Sequence, residues 1–456
     1  MIIQTTNPAT GELIKEYTLY DDQKVEEALS LSEETFKQYR TRPLDERIEL
    51  ILRVEAYLLR HKAQLASLMT QEMGKLYSAS LSEVEKCAGL CRYYADHAYM
   101  FLQDQKVDVD ASRSFIRYLP IGPVLAVMPW NFPLWQVFRF AIPTLIAGNT
   151  GVLKHASNVS GCALAIEEIF HACGFDRGAF QTLLIGSDKV ASIIADARIR
   201  AVTLTGSEYA GSAVAMQAGK HIKKTVLELG GSDPFIVMPS ADLGMALDLA
   251  VIGRVQNNGQ TCIAAKRYII HENIYDVFKE NLIARYQALK VGSPMEEGID
   301  IGPLATPQIL KEIVTQVDET IAMGGVKLCG GDVFDGPGNF YRPALLEDIP
   351  VHSPAYQGEL FGPVGLLFKV SDMDEAIQLA NDTRFGLSSV LCSQNEVEIE
   401  AAINELDCGA TFINALTASH PALPFGGVKY SGYGRELSAL GLYEFMNAKT
   451  IVAQGI

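Results

Sequence analysis

The chain lacks any cysteine framework. Its eight cysteines, at positions 87, 91, 162, 173, 262, 329, 392 and 408, form no C-x-x-C pair and no Cys/His grouping at zinc-ligand spacing. That argues against a disulfide-stapled secreted scaffold and a zinc module, and no metal site is expected. Most thiols then act as small apolar fillers in a reduced, cytoplasmic protein. Positive charge is scarce too: 38 Lys plus Arg stand against 54 Asp plus Glu, a formal charge of −16. Such a surface repels phosphate backbones and anionic lipid, so no nucleic-acid or membrane partner is expected. Long hydrophobic runs are absent. The most apolar stretch, 121–148, carries Arg139 and four prolines, which makes it a poor bilayer span. The first twelve residues lack the basic and apolar segments of a secretory signal.

What is present reads as a large α/β protein. With 456 residues, 48% of them hydrophobic, two or three domains are expected. Apolar residues recur at three- and four-residue intervals over 24–39, 44–72 and 81–102, which predicts three helices. A short alternating segment at 114–118 predicts an exposed strand. Strand-like runs at 124–128, 152–153, 180–185, 201–205 and 225–229 then alternate with helical patterns at 134–147, 161–173, 189–195 and 210–219. That alternation is the pattern of a doubly wound parallel sheet. A second round begins near Pro234, with strands at 235–238, 268–271, 364–370, 389–392 and 410–413 and helices at 246–258 and 274–289. Two α/β lobes in succession are the expectation. The last strand-like segment, 448–453, can pair with the one at 114–118.

Several short motifs carry chemistry, each with a plainer alternative. Asn258-Gly259-Gln260-Thr261-Cys262 presents a thiol at a turn. A free cysteine is only about 3% thiolate at neutral pH, so it needs electrostatic help or a base to react; the alternative is a buried filler. Glu228, flanked by Leu227 and Leu229 before Gly230-Gly231, ends an apolar strand. Desolvation there raises a carboxyl toward a usable general base, unless the strand end faces solvent. In Pro129-Trp130-Asn131-Phe132-Pro133 the Asn131 amide can donate to an oxyanion, or the segment is an ordinary proline-rich turn. Thr205-Gly206-Ser207 runs from a strand into a helix, an arrangement suited to pyrophosphate or to simple helix capping. It is neither a P-loop nor a G-x-G-x-x-G fingerprint. Lys154 closes the strand at 152–153, where it either reaches a ribose or its phosphate or stays solvated.

Taken in order, these motifs resemble the aldehyde dehydrogenase superfamily, and most of all its succinate-semialdehyde dehydrogenases. Asn7-Pro8-Ala9-Thr10-Gly11-Glu12, Glu359-Leu360-Phe361-Gly362-Pro363 and Pro424-Phe425-Gly426-Gly427-Val428-Lys429 extend the resemblance over essentially the whole chain. The resemblance implies Cys262 as nucleophile, Glu228 as the base that activates water, and Asn131 as oxyanion donor beside the Cys262 backbone N–H. It implies Lys154 at the adenine-side ribose, Ser207 with Gly206 at the pyrophosphate, and Glu359 at the nicotinamide ribose. Trp130, Leu229 and Phe361 complete the cofactor set. It further implies a doubly wound dinucleotide-binding domain (1–101, 122–230 and 431–444), an α/β catalytic domain (231–430) and a small β oligomerisation arm (102–121 and 445–456). That arm joins subunits into a homodimer or homotetramer.

Two points within the resemblance bear on selectivity. Many NAD-using relatives carry Glu three residues after the Lys, where it repels a 2′-phosphate; here Ser157 stands there, which favours NADP over NAD. Arg139 matches an Arg that binds the distal carboxylate of succinate semialdehyde, an anion anchor on an acidic protein, or else it pairs with a carboxylate of its own. Ser419 is a second substrate contact and Trp135 an apolar wall. Gln256 stands where some relatives add another Arg. The expected activity is NAD(P)-dependent, non-acylating oxidation of succinate semialdehyde or a related carboxy-aldehyde through a thioester. The alternatives are a broad dehydrogenase for neutral aldehydes, a catalytically silent binding protein, and a thiol hydrolase, for which none of the eight His lies in a recognisable motif.

Overall fold

The computed structural model describes residues 2–455. Two parallel sheets organise it. In the first, the strands run Gly432–Tyr433, Lys224–Glu228, Ala201–Thr205, Pro123–Met128, Thr150–His155 and Phe180–Thr182 across the sheet, and only Gly432–Tyr433 is antiparallel. Chain order therefore reverses between Pro123–Met128 and Ala201–Thr205. Open parallel sheets bind ligands at such a reversal, beyond the carboxyl ends of the strands. The second sheet has seven strands, in the order Val326–Cys329, Ala344–Glu347, Val364–Val370, Ala265–His271, Asp233–Val237, Ser388–Cys392 and Ala410–Ile413. All of its pairs are parallel but the first.

The expected alternation holds, and the misses have local causes. The span 44–72 is two helices, Leu44–Arg60 and Lys62–Met73, because His61 leaves helical geometry (φ −102°, ψ 14°) and stacks its ring on Tyr57 at 4.1 Å. The helix expected over 246–258 is Leu243–Val255 and stops before Asn257 and Asn258, which take left-handed backbone. The hairpin Ile2–Thr6/Leu13–Thr18 and the strands Val326–Cys329 and Ala344–Glu347 carry patterns too short or too polar to stand out in the sequence, whereas the helix Pro307–Ala322, sixteen residues long and capped by Thr306, is amphipathic and is simply not among the expected helices. The terminal segment does pair as expected: Met446–Ala453 runs antiparallel to Arg113–Pro120, with Ala448 opposite Tyr118.

The helix Trp135–Ile146 is buried along its whole length, as a helix apolar on every side must be. It leaves the end of Pro123–Met128 and packs on the long helix Tyr77–Leu102. Arg139 is thereby carried into the interior, 2% exposed.

Candidate active site

The loop before Cys262 is strained and pinned. Asn257, Asn258 and Gly259 have φ of 54°, 58° and 75°, and Asn pays less than other non-glycine residues for that region. A Cβ on Gly259 would lie 2.5 Å from the nitrogen of Pro363, so only glycine fits. Side-chain amides hold the shape. Asn258 Nδ2 donates to Gly74 O (2.9 Å) and Pro303 O (3.0 Å), while its Oδ1 accepts from Gly302 N (2.8 Å). Asn257 Nδ2 donates to Asn131 O (2.8 Å) and Gln260 O (3.0 Å). Buried Arg254, which the sequence did not single out, donates to the carbonyls of Gly259 and Leu360, each at 3.0 Å, and of Gly362. It ties this loop to the one carrying Glu359 and Phe361. The two loops enter neighbouring parallel strands, Ala265–His271 and Val364–Val370, and so lie side by side.

Cys262 lines two cavities at once. Burial pushes its thiol up to about 12, with Arg139 and Lys266 pulling down and Glu359 and Asp233 pushing further up. The larger cavity, about 560 Å³, is built from the carboxyl ends of the first sheet: Trp130 and Asn131, Thr205 to Ser207, and Glu228 to Gly230. Glu359, Phe361 and one side of the Pro307–Ala322 helix, including Gln308 and Lys311, close it from the second sheet. Trp130 and Phe361 meet edge to face at 5.6 Å. Ser207 caps the helix Glu208–Lys220 by accepting from Ala210 N (3.3 Å), so the cavity abuts a helix N-terminus. Gly231 N donates to Glu359 Oε1 at 3.1 Å.

Glu228 is 2% exposed, and among the described residues neither of its carboxyl oxygens has a hydrogen-bond partner. Burial, with the nearby Glu436 carboxylate, raises its pKa well above the ordinary carboxylate value against the pull of Arg139 and Arg435. Asn131 Nδ2 donates to Gln260 O at 3.1 Å, which uses one of its two N–H groups. Lys154 and Ser157 are not part of this cavity's wall. The Lys154 ammonium donates to the adjacent His155 carbonyl (2.8 Å), and burial lowers its pKa; Ser157 is exposed at the start of a short turn.

The second cavity, about 320 Å³, lies on the other side of Cys262 and brings Trp135, Arg139 and Ser419 together. Arg139 Nε sits 2.7 Å from Glu436 Oε2 in a buried pair, so it has both the cavity position and the carboxylate partner that the two readings offered. Lys86, also unmarked in the sequence, lines the same wall. Its ammonium donates to Ser419 Oγ (2.8 Å) and lies 4.3 Å from the Trp135 ring, while Trp135 Nε1 donates to the same Oγ (3.1 Å). Burial and the Arg139 charge lower Lys86 to about 8. Among the described residues no cluster of His, Cys, Asp and Glu could hold a metal ion.

Residues 1–451 match the aldehyde dehydrogenase family. A Synechocystis protein named as a probable NADP(+) succinate-semialdehyde dehydrogenase is 52% identical over 451 residues, 99% of each chain. A Mycobacterium tuberculosis succinate-semialdehyde dehydrogenase, likewise named for NADP(+), is 50% identical over 454 residues, again 99% of each. The crystal structure of succinic semialdehyde dehydrogenase from Streptococcus pyogenes in complex with NADP+ superposes with a TM-score of 0.97 at 37% identity, covering 99% of this chain and 100% of that one.

Proposed function

The chain belongs to the aldehyde dehydrogenase family, and from that premise we propose that it oxidises succinate semialdehyde, or a related carboxy-aldehyde, to the acid with NADP+ as acceptor. One observation carries the reading: Cys262 stands between two cavities of different character. The larger suits a dinucleotide. It opens where chain order reverses in the first sheet, it meets a helix N-terminus at Gly206 and Ser207, and buried Thr205 Oγ1 has no protein partner there. Trp130, Gly206, Ser207, Leu229, Glu359 and Phe361 would hold the cofactor, with Lys154 and Ser157 toward the adenine ribose. Ser157, small and neutral, leaves room for a 2′-phosphate, and the relatives named for NADP(+) agree. Bound there, the nicotinamide supplies the hydride acceptor.

The chain's own residues do the rest. Cys262 adds as thiolate to the aldehyde carbon, and the free N–H of the Asn131 amide and the Cys262 backbone N–H stabilise the oxyanion. Loss of the aldehyde hydrogen with its electron pair leaves a thioester on Cys262. Glu228 takes a proton from water, the hydroxide adds to the thioester carbonyl, and collapse releases the acid and restores the thiolate.

The smaller cavity sets the substrate class. Arg139 is matched by Glu436, whereas among the described residues Lys86 makes no salt bridge and reaches Ser419 instead, so a distal carboxylate meets positive charge and two hydrogen-bonding groups. We assign 1–101, 122–230 and 431–444 to the cofactor domain, 231–430 to the catalytic domain, and 102–121 with 445–456 to the arm of a cytoplasmic homodimer or homotetramer. Among the described residues no helix is long and apolar enough to cross a membrane.

Initial rates with succinate semialdehyde and butanal, each with NADP+ and NAD+, test the reading. NADP+ and the carboxy-aldehyde are expected to lead, and Lys86→Met should raise KM about 10–100-fold for succinate semialdehyde alone. Equal kcat/KM for the two aldehydes would return Lys86 and Arg139 to structural roles.

A further inference from the structure

Lys266 is the least expected charge near the nucleophile. It lies at the start of the strand Ala265–His271, and its side chain is 1% exposed. Its ammonium donates to Cys262 O at 2.7 Å and Thr261 O at 3.2 Å, and it pairs with Glu359 Oε1 at 3.2 Å. Taking an ammonium out of water costs several kcal/mol unless it is paired and hydrogen-bonded, and all three partners belong to the two loops that form the site. Glu359 is only half committed. Oε1 also accepts from Gly231 N, whereas Oε2 has no protein hydrogen bond, and the residue lines the larger cavity. Gly230 lies so close that a Cβ there would sit 2.2 Å from Oε2, which leaves this carboxylate little room to move.

We propose that Lys266 is a positioning residue through which occupancy of the larger cavity at Glu359 is transmitted to Cys262, by one buried ammonium shared between the Glu359 carboxylate and the nucleophile's own carbonyl. The argument rests on the dinucleotide reading above, since ribose hydroxyls are the groups that would reach Glu359. Without such donors, the fields of Lys266 and Glu359 oppose each other at the thiol. Hydroxyl donors arriving at the carboxylate disperse its charge, and the Lys266 field then prevails. The other charged groups that face Cys262 are Arg139 from the Trp135–Ile146 helix, which favours thiolate, and Asp233 from the neighbouring strand, which opposes it. Glu228 shares the larger cavity. None of these touches the Cys262 carbonyl by a side chain. Lys266 does.

The test is the pH dependence of Cys262 alkylation by iodoacetamide in the full-length protein, without aldehyde, with and without NADP+. In the unsubstituted protein NADP+ should lower the alkylation midpoint by about one pH unit, the size expected when a neighbouring charge is partly removed. Lys266→Met should raise the midpoint with and without NADP+ and reduce the NADP+-induced shift to the part that Glu359 exerts on the thiol directly, and Lys266→Arg should restore both. A folded Lys266→Met protein with the full shift would overturn the proposal. Should that variant not fold, Lys266→Gln is measured in its place, and a full shift there counts equally against Lys266. If NADP+ does not bind the unsubstituted protein, the cofactor reading fails, and the midpoint without NADP+ still tests Lys266, since a Lys266→Met value equal to that of the unsubstituted protein would overturn its role.

Discussion

Desolvation acts on Glu228 and Cys262 in the same direction and to opposite purposes. A carboxyl without a hydrogen-bond partner stays protonated to higher pH, which gives Glu228 a basicity that a solvated carboxylate lacks. The thiol is also driven toward its neutral form, so it needs the cations around it to react. In the proposed reaction Glu228 works ionised, so kcat should fall as pH drops through its raised value, at a pH well above the ordinary 4.5. Glu228→Gln should flatten that limb and cut steady-state turnover by about 10²–10⁴-fold. It should still show one rapid burst of reduced cofactor as the thioester forms, in rapid-mixing absorbance. A missing burst would place Glu228 earlier in the reaction.

Within elements, the turn that presents Asn131 is held by a residue of another strand. His155 ends Thr150–His155; its Nε2 lies 2.9 Å from Pro133 O, and its Nδ1 accepts from Ala156 N at 2.9 Å. The ring is therefore neutral with its proton on Nε2, and burial lowers its pKa from 6.5 to about 4. The sign follows from linkage: the unfolded chain binds the proton first, so this stabilisation is complete above about 6.5 and is lost as pH falls toward 4. The loss is roughly 3–4 kcal/mol at most, at ~1.4 kcal/mol per unit. Urea melts at pH 7 and pH 4.5 should show His155→Gln losing less stability on acidification than the unsubstituted protein. Equal losses would mean the ring is hydrated rather than sealed.

At the scale of the whole molecule, neither sheet makes the site alone. Glu228 and Asn131 come from carboxyl ends in the first sheet, whereas Cys262 and Glu359 come from loops that enter strands of the second. The arm strand Met446–Ala453 is an edge eight residues long with Val452 exposed, and such an edge calls for a covering partner. Light scattering should therefore give a native mass two or four times the 49.8 kDa chain. A mass of one chain would remove the oligomerisation role from the arm.

Much of this was legible in the chain because it rests on local rules. Apolar periodicity marks buried strands wherever they end up. Cys262, Glu228 and Asn131 each sit in a short motif that the family resemblance picks out as a candidate for its chemistry. Lys86, Lys266 and Arg254 sit in no such motif. Each is one polar position in an ordinary helix or strand, and its role comes from groups up to 333 positions away, as Lys86 and Ser419 show. The sequence by itself determined the alternation of strand and helix that makes two α/β lobes and supplied the candidate reacting groups, since these follow from backbone preference and side-chain chemistry. Tertiary structure alone decided which charges face the thiol and which are neutralised, because electrostatic energy depends on distance through a low-dielectric interior, and that distance exists only once the two sheets have packed.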